Sequence, residues 1–357
     1  MTDEIQLLRD LVAIPSVSGD EAAIVAFVEG VARQWDLPVE VDGAGFRITV
    51  PGRAPGRALA LVSHLDTVPP GEGWTRNPFQ PVIADDRLYG RGAGDAKASV
   101  AAMLCAARDV AAAGGPPTGR LLVLLGLSEE TDDTTMPRLV EAAGPIDAAV
   151  IGEPTGLDLA IVQRGLLRLD LVAEGEQRHA GNTAAEDARD NAIAVLARDL
   201  LALEGLARGR PHALVGDPTI TPTMLSAGVQ RNVTPPTARA ALDVRSTPHW
   251  SHAELVEIIR SAVRSRVEIV SDRMVPCQTP PNSALLATAG RVRPASRRYG
   301  SPTCSDWVFL RHCDGIKCGP GTSRRSHTAD EYVTLAEVRD ARRFYRALAL
   351  EYITDER

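Results

Sequence analysis

The chain has 357 residues, 44% of them apolar and 24% charged, with a formal net charge of -7. That length favours two domains over one core, and an acidic chain with no basic run longer than two residues is not built to bind nucleic acid. The start MTDEIQLLRDLVAIPS is acidic where a signal peptide needs basic residues, and no apolar run approaches the roughly 20 residues of a membrane span, so a cytoplasmic protein is expected.

In chain order, residues 3–13 and 20–34 carry apolar side chains at helical spacing, with Ser18 and Glu21 at the offset of a capping box. VEVDGAGFRITV alternates like a hairpin. ALALVSHLD is a continuous apolar run, as expected for a central strand covered on both faces. AKASVAAMLCAARDVAAAG reads as a helix of small residues ending at Gly114-Gly115. RLLVLLGLSEE and IDAAVIGEPT repeat a layout of apolar strand followed by carboxylates, and strands alternating with helices predict an α/β domain. The middle of the chain then reads strand, helix, strand, strand, helix, strand over roughly 165–272, the split βαβ pattern of a one-sided, ferredoxin-like sheet. The expected division is a catalytic domain of 1–164 and 273–357, and an inserted α+β domain of 165–272. The five cysteines (Cys105, Cys277, Cys304, Cys313, Cys318) have no CxxC spacing and read as reduced thiols.

Seven polar residues fall at or just after the apolar runs: His64, Asp66, Asp95, Glu129, Glu130, Glu153 and His327. Open α/β sheets bind ligands at the carboxyl ends of their strands, where these residues lie. Imidazoles and carboxylates without thiolate suit a catalytic zinc pair better than a structural site. His64 and Asp66 project to the same side, so Asp66 can accept the second ring N–H of a metal-binding His64. Each residue also has a plainer reading on its own: Asp95 as a helix cap, Glu129-Glu130 as a solvated loop, and His64 with Asp66 as a polar loop. It is the set that points to a metal-dependent hydrolase.

SHLDTVPPGEGW, LYGRGAGDAK, SEETDD, IGEPTG and GPGTSRRSHTADE resemble, in order and spacing, the di-zinc deacylases and exopeptidases typified by acetylornithine deacetylase and succinyl-diaminopimelate desuccinylase. The resemblance extends over nearly the whole chain. It implies a zinc-hydrolase domain whose central mixed sheet is flanked by helices, with the inserted domain serving as lid and dimerisation module. It further implies two zinc ions per subunit, replaceable by cobalt. His64, Asp95 and Glu153 would hold one ion, and Asp95, Glu130 and His327 the other, with Asp95 bridging. Glu129 would be the general base and Asp66 the residue that orients His64. The peptide after Asp95 is typically cis in these proteins. His179 would serve the oxyanion, often across a dimer, although Gly181-Asn182-Thr183 follows it where the family has a proline. Arg245 and Asn232 match positions that bind the substrate carboxylate, and Arg325 and Arg178 are further candidates.

The resulting expectation is hydrolysis of the amide bond of an N-acyl amino acid in arginine or lysine biosynthesis. The substrate would be a small molecule, or one presented on an amino-group carrier protein, and the enzyme a homodimer joined through its inserted domain. The alternatives are a metallo-dipeptidase or carboxypeptidase on the same core, and a non-catalytic metal-binding protein.

Overall fold

The computed structural model describes residues 3–131, 135–184 and 190–354. Two units make up the chain. One comprises residues 1–161, 279–299 and 305–357, and the other 162–278 with 300–304.

The first unit is built on a mixed sheet whose strands lie in the order Val39–Asp42, Gly45–Pro51, Arg120–Gly126, Ala58–His64, Ala148–Ile151, Asp314–Lys317 and Leu159–Gln163, the last of which runs on into the second unit. Val39–Asp42 and Gly45–Pro51 form the expected antiparallel hairpin. Ala58–His64 pairs in parallel with Arg120–Gly126 on one side and Ala148–Ile151 on the other. Asp314–Lys317 runs parallel to Ala148–Ile151. Every residue of Ala58–His64 is buried, the expected result for a run with no polar alternation. In register, His64 sits opposite Gly126 and Val62 opposite Ile151, so these strands end together at one edge. That shared edge is what gathers Glu129-Glu130, Glu153 and His64, which are remote in sequence.

Helix Lys97–Ala112 is buried around most of its circumference, which its alanines permit, and Leu335–Thr354 packs along it. The Lys97 ammonium donates to the carbonyls of Leu11 (3.0 Å) and Ile14 (2.8 Å), tying the start of this helix to the end of helix Glu4–Ala13. The three-stranded sheet of Tyr332–Thr334, Arg87–Tyr89 and Val82–Ala84 has no counterpart in the sequence expectations.

One local expectation fails. Ser18 and Glu21 do not form a capping box, because helix Ala22–Gln34 has Glu21 at its N-cap with no side-chain capping bond. Both side chains instead bond to the loops of the metal-ligand candidates, a long-range demand that overrides the local motif.

The second unit holds an antiparallel sheet in the order Thr219–Ala227, Thr237–Arg245, Leu166–Glu174, Arg266–Met274. Numbered along the chain this is 2-3-1-4, the ferredoxin-like order. Helices Ala192–Ala202 and His252–Ala262 contribute Val195, Leu196, Leu255 and Ile259 to a core with Leu167, Leu169, Leu171, Leu242 and Val244. The helix expected over 187–206 begins outside the described residues, and the described helix runs over Ala192–Ala202. A true capping box does occur here, between Ser251 and Glu254. All five cysteines are free thiols. No helix among the described residues is long and apolar enough to cross a membrane.

Candidate metal centre

Among the described residues, His64, Asp95 and Glu130 form a group of potential ligands whose ligand atoms all lie within 4.8 Å of one another. Asp95 faces two imidazoles at once: its Oδ1 is 3.5 Å from His64 Nε2 and its Oδ2 is 3.5 Å from His327 Nε2. His327 Nε2 also lies 2.9 Å from Glu130 Oε1, and His64 Nε2 lies 3.9 Å from Glu153 Oε1. The five residues form a chain, Glu153–His64–Asp95–His327–Glu130, with one carboxylate between two imidazoles. His64 is buried at the end of its strand, whereas His327 is half-exposed, with a φ of 61°, in the loop after Asp314–Lys317. Asp95 does not cap helix Lys97–Ala112, because the N-cap position belongs to Ala96, and the Asp95–Ala96 peptide is cis.

Asp66 does more than face His64. His64 Nδ1 is 3.1 Å from the Asp66 carbonyl oxygen and 3.4 Å from its Oδ1. The Asp66 carboxylate also accepts the backbone N–H groups of Glu129 (3.1 Å) and Glu130 (3.0 Å) and the Ser18 hydroxyl (2.6 Å). Ser128, just before the pair, has a φ of 57° and donates its N–H (3.1 Å) and hydroxyl (3.0 Å) to Glu21. The Glu129-Glu130 turn is therefore fixed by two buried carboxylates and a serine. Ser18 and Glu21 are the site residues that sequence reasoning missed, because their short-range capping pattern has a ready local explanation.

The electrostatics suit a cation. Burial opposes ionisation of Asp66, but bonds from His64, Ser18 and the Glu130 N–H bring its pKa down to about 2. Burial disfavours a charged His64, yet Asp66, Asp95 and Glu129 outweigh it and hold the imidazole well above its usual pKa. The bond to Glu130 similarly raises His327. Burial, reinforced by the Asp95 charge, lifts Glu153 to about 7. Five carboxylates (Asp66, Asp95, Glu129, Glu130 and Glu153) around two imidazoles thus draw protons into the cluster, the environment expected of a divalent-metal site. Metal uptake should release protons, and because a raised imidazole pKa lets protons compete over a wider range, affinity should fall as pH drops. Calorimetry in buffers of different ionisation enthalpy measures this; uptake with no proton release contradicts the assignment of the imidazoles.

The remaining candidates are placed as follows. His179 is exposed, heads a short 3₁₀ turn and accepts the Gly181 N–H at Nδ1 (3.0 Å). It bridges to Val233, and the Ala180 N–H donates to the Asn232 carbonyl (2.8 Å), so the His179 and Asn232 loops are neighbours within the second unit. Arg178 pairs with Glu176. Arg245 holds Asp243 through Nε (2.7 Å) and Nη2 (3.0 Å), leaving Nη1 outside that pair. Arg325 pairs with Glu337 at 3.2 Å and stacks on Tyr332 at 4.4 Å, contacts that anchor the His327 loop.

The model of peptidase family M20/M25/M40 matches residues 60–351. The chain is 30% identical to a succinyl-diaminopimelate desuccinylase from Rhodospirillum centenum, over 97% of this chain and 96% of that one. Its fold is similar to that of the metallo-carboxypeptidase Sso-CP2 from Sulfolobus solfataricus, with a TM-score of 0.82, 18% identity and 99% of each chain covered. It is also similar to the Bacillus subtilis YXEP protein, a dinuclear metal-binding peptidase, with a TM-score of 0.74 and 16% identity over 98% of this chain and 97% of that one.

Proposed function

The chain belongs to peptidase family M20/M25/M40, and on that premise we propose that this hydrolase cleaves the amide bond of an N-acyl amino acid, with N-succinyl amino acids as the favoured class. The observation that carries the reading is the Glu153–His64–Asp95–His327–Glu130 chain, with the paired carboxylate Glu129 at its edge. In this reading His64, Asp95 and Glu153 would hold one zinc ion and Asp95, Glu130 and His327 the other, with cobalt as a substitute. The donor set fits: imidazole and carboxylate oxygen without thiolate. Bound metal supplies Lewis acidity at the scissile carbonyl and lowers the pKa of the attacking water.

The protein's own groups do the rest. Glu129 takes the proton of the attacking water and returns it to the leaving nitrogen, and the N–H bonds from its turn to Asp66 hold it in place. Asp66 keeps the His64 ring oriented, Nε2 toward Asp95. His179 donates to the developing oxyanion. Arg245, with Asn232 and Arg178, receives the substrate's carboxylates, while Asp243 bonds its Nε and Nη2. Arg325 contributes by steadying the His327 loop.

We further propose a cytoplasmic homodimer formed through the second unit. Strand Thr219–Ala227 is an edge strand, exposed along nearly all its length, and presents Met224 and Leu225, followed by Val229. Unpaired, apolar strand edges invite a partner strand. Free thiols suit a reducing compartment.

A panel of N-succinyl, N-acetyl and dipeptide substrates, assayed with metal content measured on the same sample, tests the activity. Turnover of succinylated amino acids is expected. Turnover of dipeptides alone replaces the proposal with a peptidase, and turnover of none on metal-loaded protein overturns it. Mixing His179→Ala with Glu129→Gln protein is expected to restore part of the activity if His179 serves the partner's site; verified mixed dimers with no recovery remove that role.

A further inference from the structure

Four residues beyond His327, Glu331 is 1% exposed and lies under the Asp95 loop. Its Oε1 accepts the backbone N–H groups of Gly94 (2.8 Å) and Asp95 (3.0 Å). Its Oε2 accepts the Gly92 N–H (3.2 Å) and Arg91 Nη1 (2.5 Å). The second nitrogen of the Arg91 fork donates to the Pro70 carbonyl (2.9 Å), and the guanidinium lies 5.2 Å from the Trp74 ring. Backbone pairing extends the contact, since the Gly90 N–H donates to the Glu331 carbonyl (2.9 Å). Gly92, with a φ of 80°, lets the loop close: a Cβ there would lie 2.6 Å from Thr67 Cγ2.

We propose that Glu331 is a positioning residue, one buried carboxylate that fixes the loop of Asp95 relative to the loop of His327 and so sets the spacing between two ligands of the metal pair. The inference rests on the metal reading above, because it concerns how two of those ligands are held. The chemistry of the group makes it specific. Each oxygen accepts two donors, one pair on each side of the carboxylate. Gln offers one accepting oxygen and a donating NH₂, so it would turn two hydrogens toward two more whichever way it is flipped. Asp keeps the charge and both acceptors but is one methylene short of reaching both pairs.

The test is a cobalt titration of metal-free wild type, Glu331→Gln, Glu331→Asp and Leu121→Ala, followed by calorimetry and by cobalt visible absorption. Leu121 is buried at the far end of its strand from Gly126 and serves as a destabilised control. Glu331→Gln is expected to weaken cobalt binding by about 10–100-fold, the range found when a group supporting a metal ligand is removed. Its absorption spectrum should shift as well, while Leu121→Ala stays within about twofold of wild type because distant sites act independently. If Glu331→Gln does not fold, Glu331→Asp carries the same expectation. Wild-type cobalt affinity and spectrum in a folded Glu331 variant, or an equal loss in Leu121→Ala, overturns the proposal. Wild type that binds no cobalt overturns the metal reading itself, so the two failures are distinct.

Discussion

Replacing Glu129 by Gln is expected to lower turnover by about 10²–10⁴-fold, the usual contribution of a general acid–base group, while metal content stays at the wild-type value. Gln is nearly isosteric and leaves untouched the backbone N–H through which residue 129 bonds to Asp66 at 3.1 Å. The turn, with Glu130 beside it, therefore keeps its shape. Only the ability to carry a proton is removed. Loss of metal together with activity would make residue 129 a ligand, and full activity would remove it from the mechanism.

Asp95→Ala is expected to behave oppositely, losing metal and activity together. Asp95 presents one oxygen to each imidazole, both at 3.5 Å, so in the proposed two-metal arrangement its removal would take a donor from each of two ion positions. The affinity loss should exceed the roughly 100-fold upper range seen for groups that merely support a ligand. The folded state should persist, since removing Asp95 also relieves the crowding of its charge against Glu153 and Glu331. Metal analysis of purified Asp95→Ala protein checks this. Two tightly bound ions would show that Asp95 does not bridge. The two variants together separate the residue proposed to handle the proton from the residue proposed to hold the metals.

The central fold was legible because burial leaves a direct mark on composition. ALALVSH, with no polar alternation, reads as a strand covered on both faces, and all of its residues are buried. His64, Asp66, Glu129, Glu130 and Glu153 were legible for a related reason: each ends or follows an apolar run, and parallel strands ending at one edge bring such positions together. What the sequence hid were contacts made across long separations. Ser18 and Glu21 have the spacing of a helix cap, yet serve Asp66 and Ser128. Glu331 sits in a polar loop where any carboxylate looks solvated, yet it is buried against Arg91 and three backbone N–H groups. Spacing reports what a residue does for its own element; it is silent when the partner lies tens to hundreds of residues away, as for Ser18, Glu21 and Glu331.

The most direct measurement is a titration of metal-free protein with zinc, following hydrolysis of an N-succinyl amino acid and bound metal in the same samples. Activity should rise from background as metal enters, reach its plateau at two equivalents per chain and vanish again on chelation. Turnover that survives complete removal of metal, or a plateau with no metal held by the His64–Asp95–His327 cluster, would contradict the account.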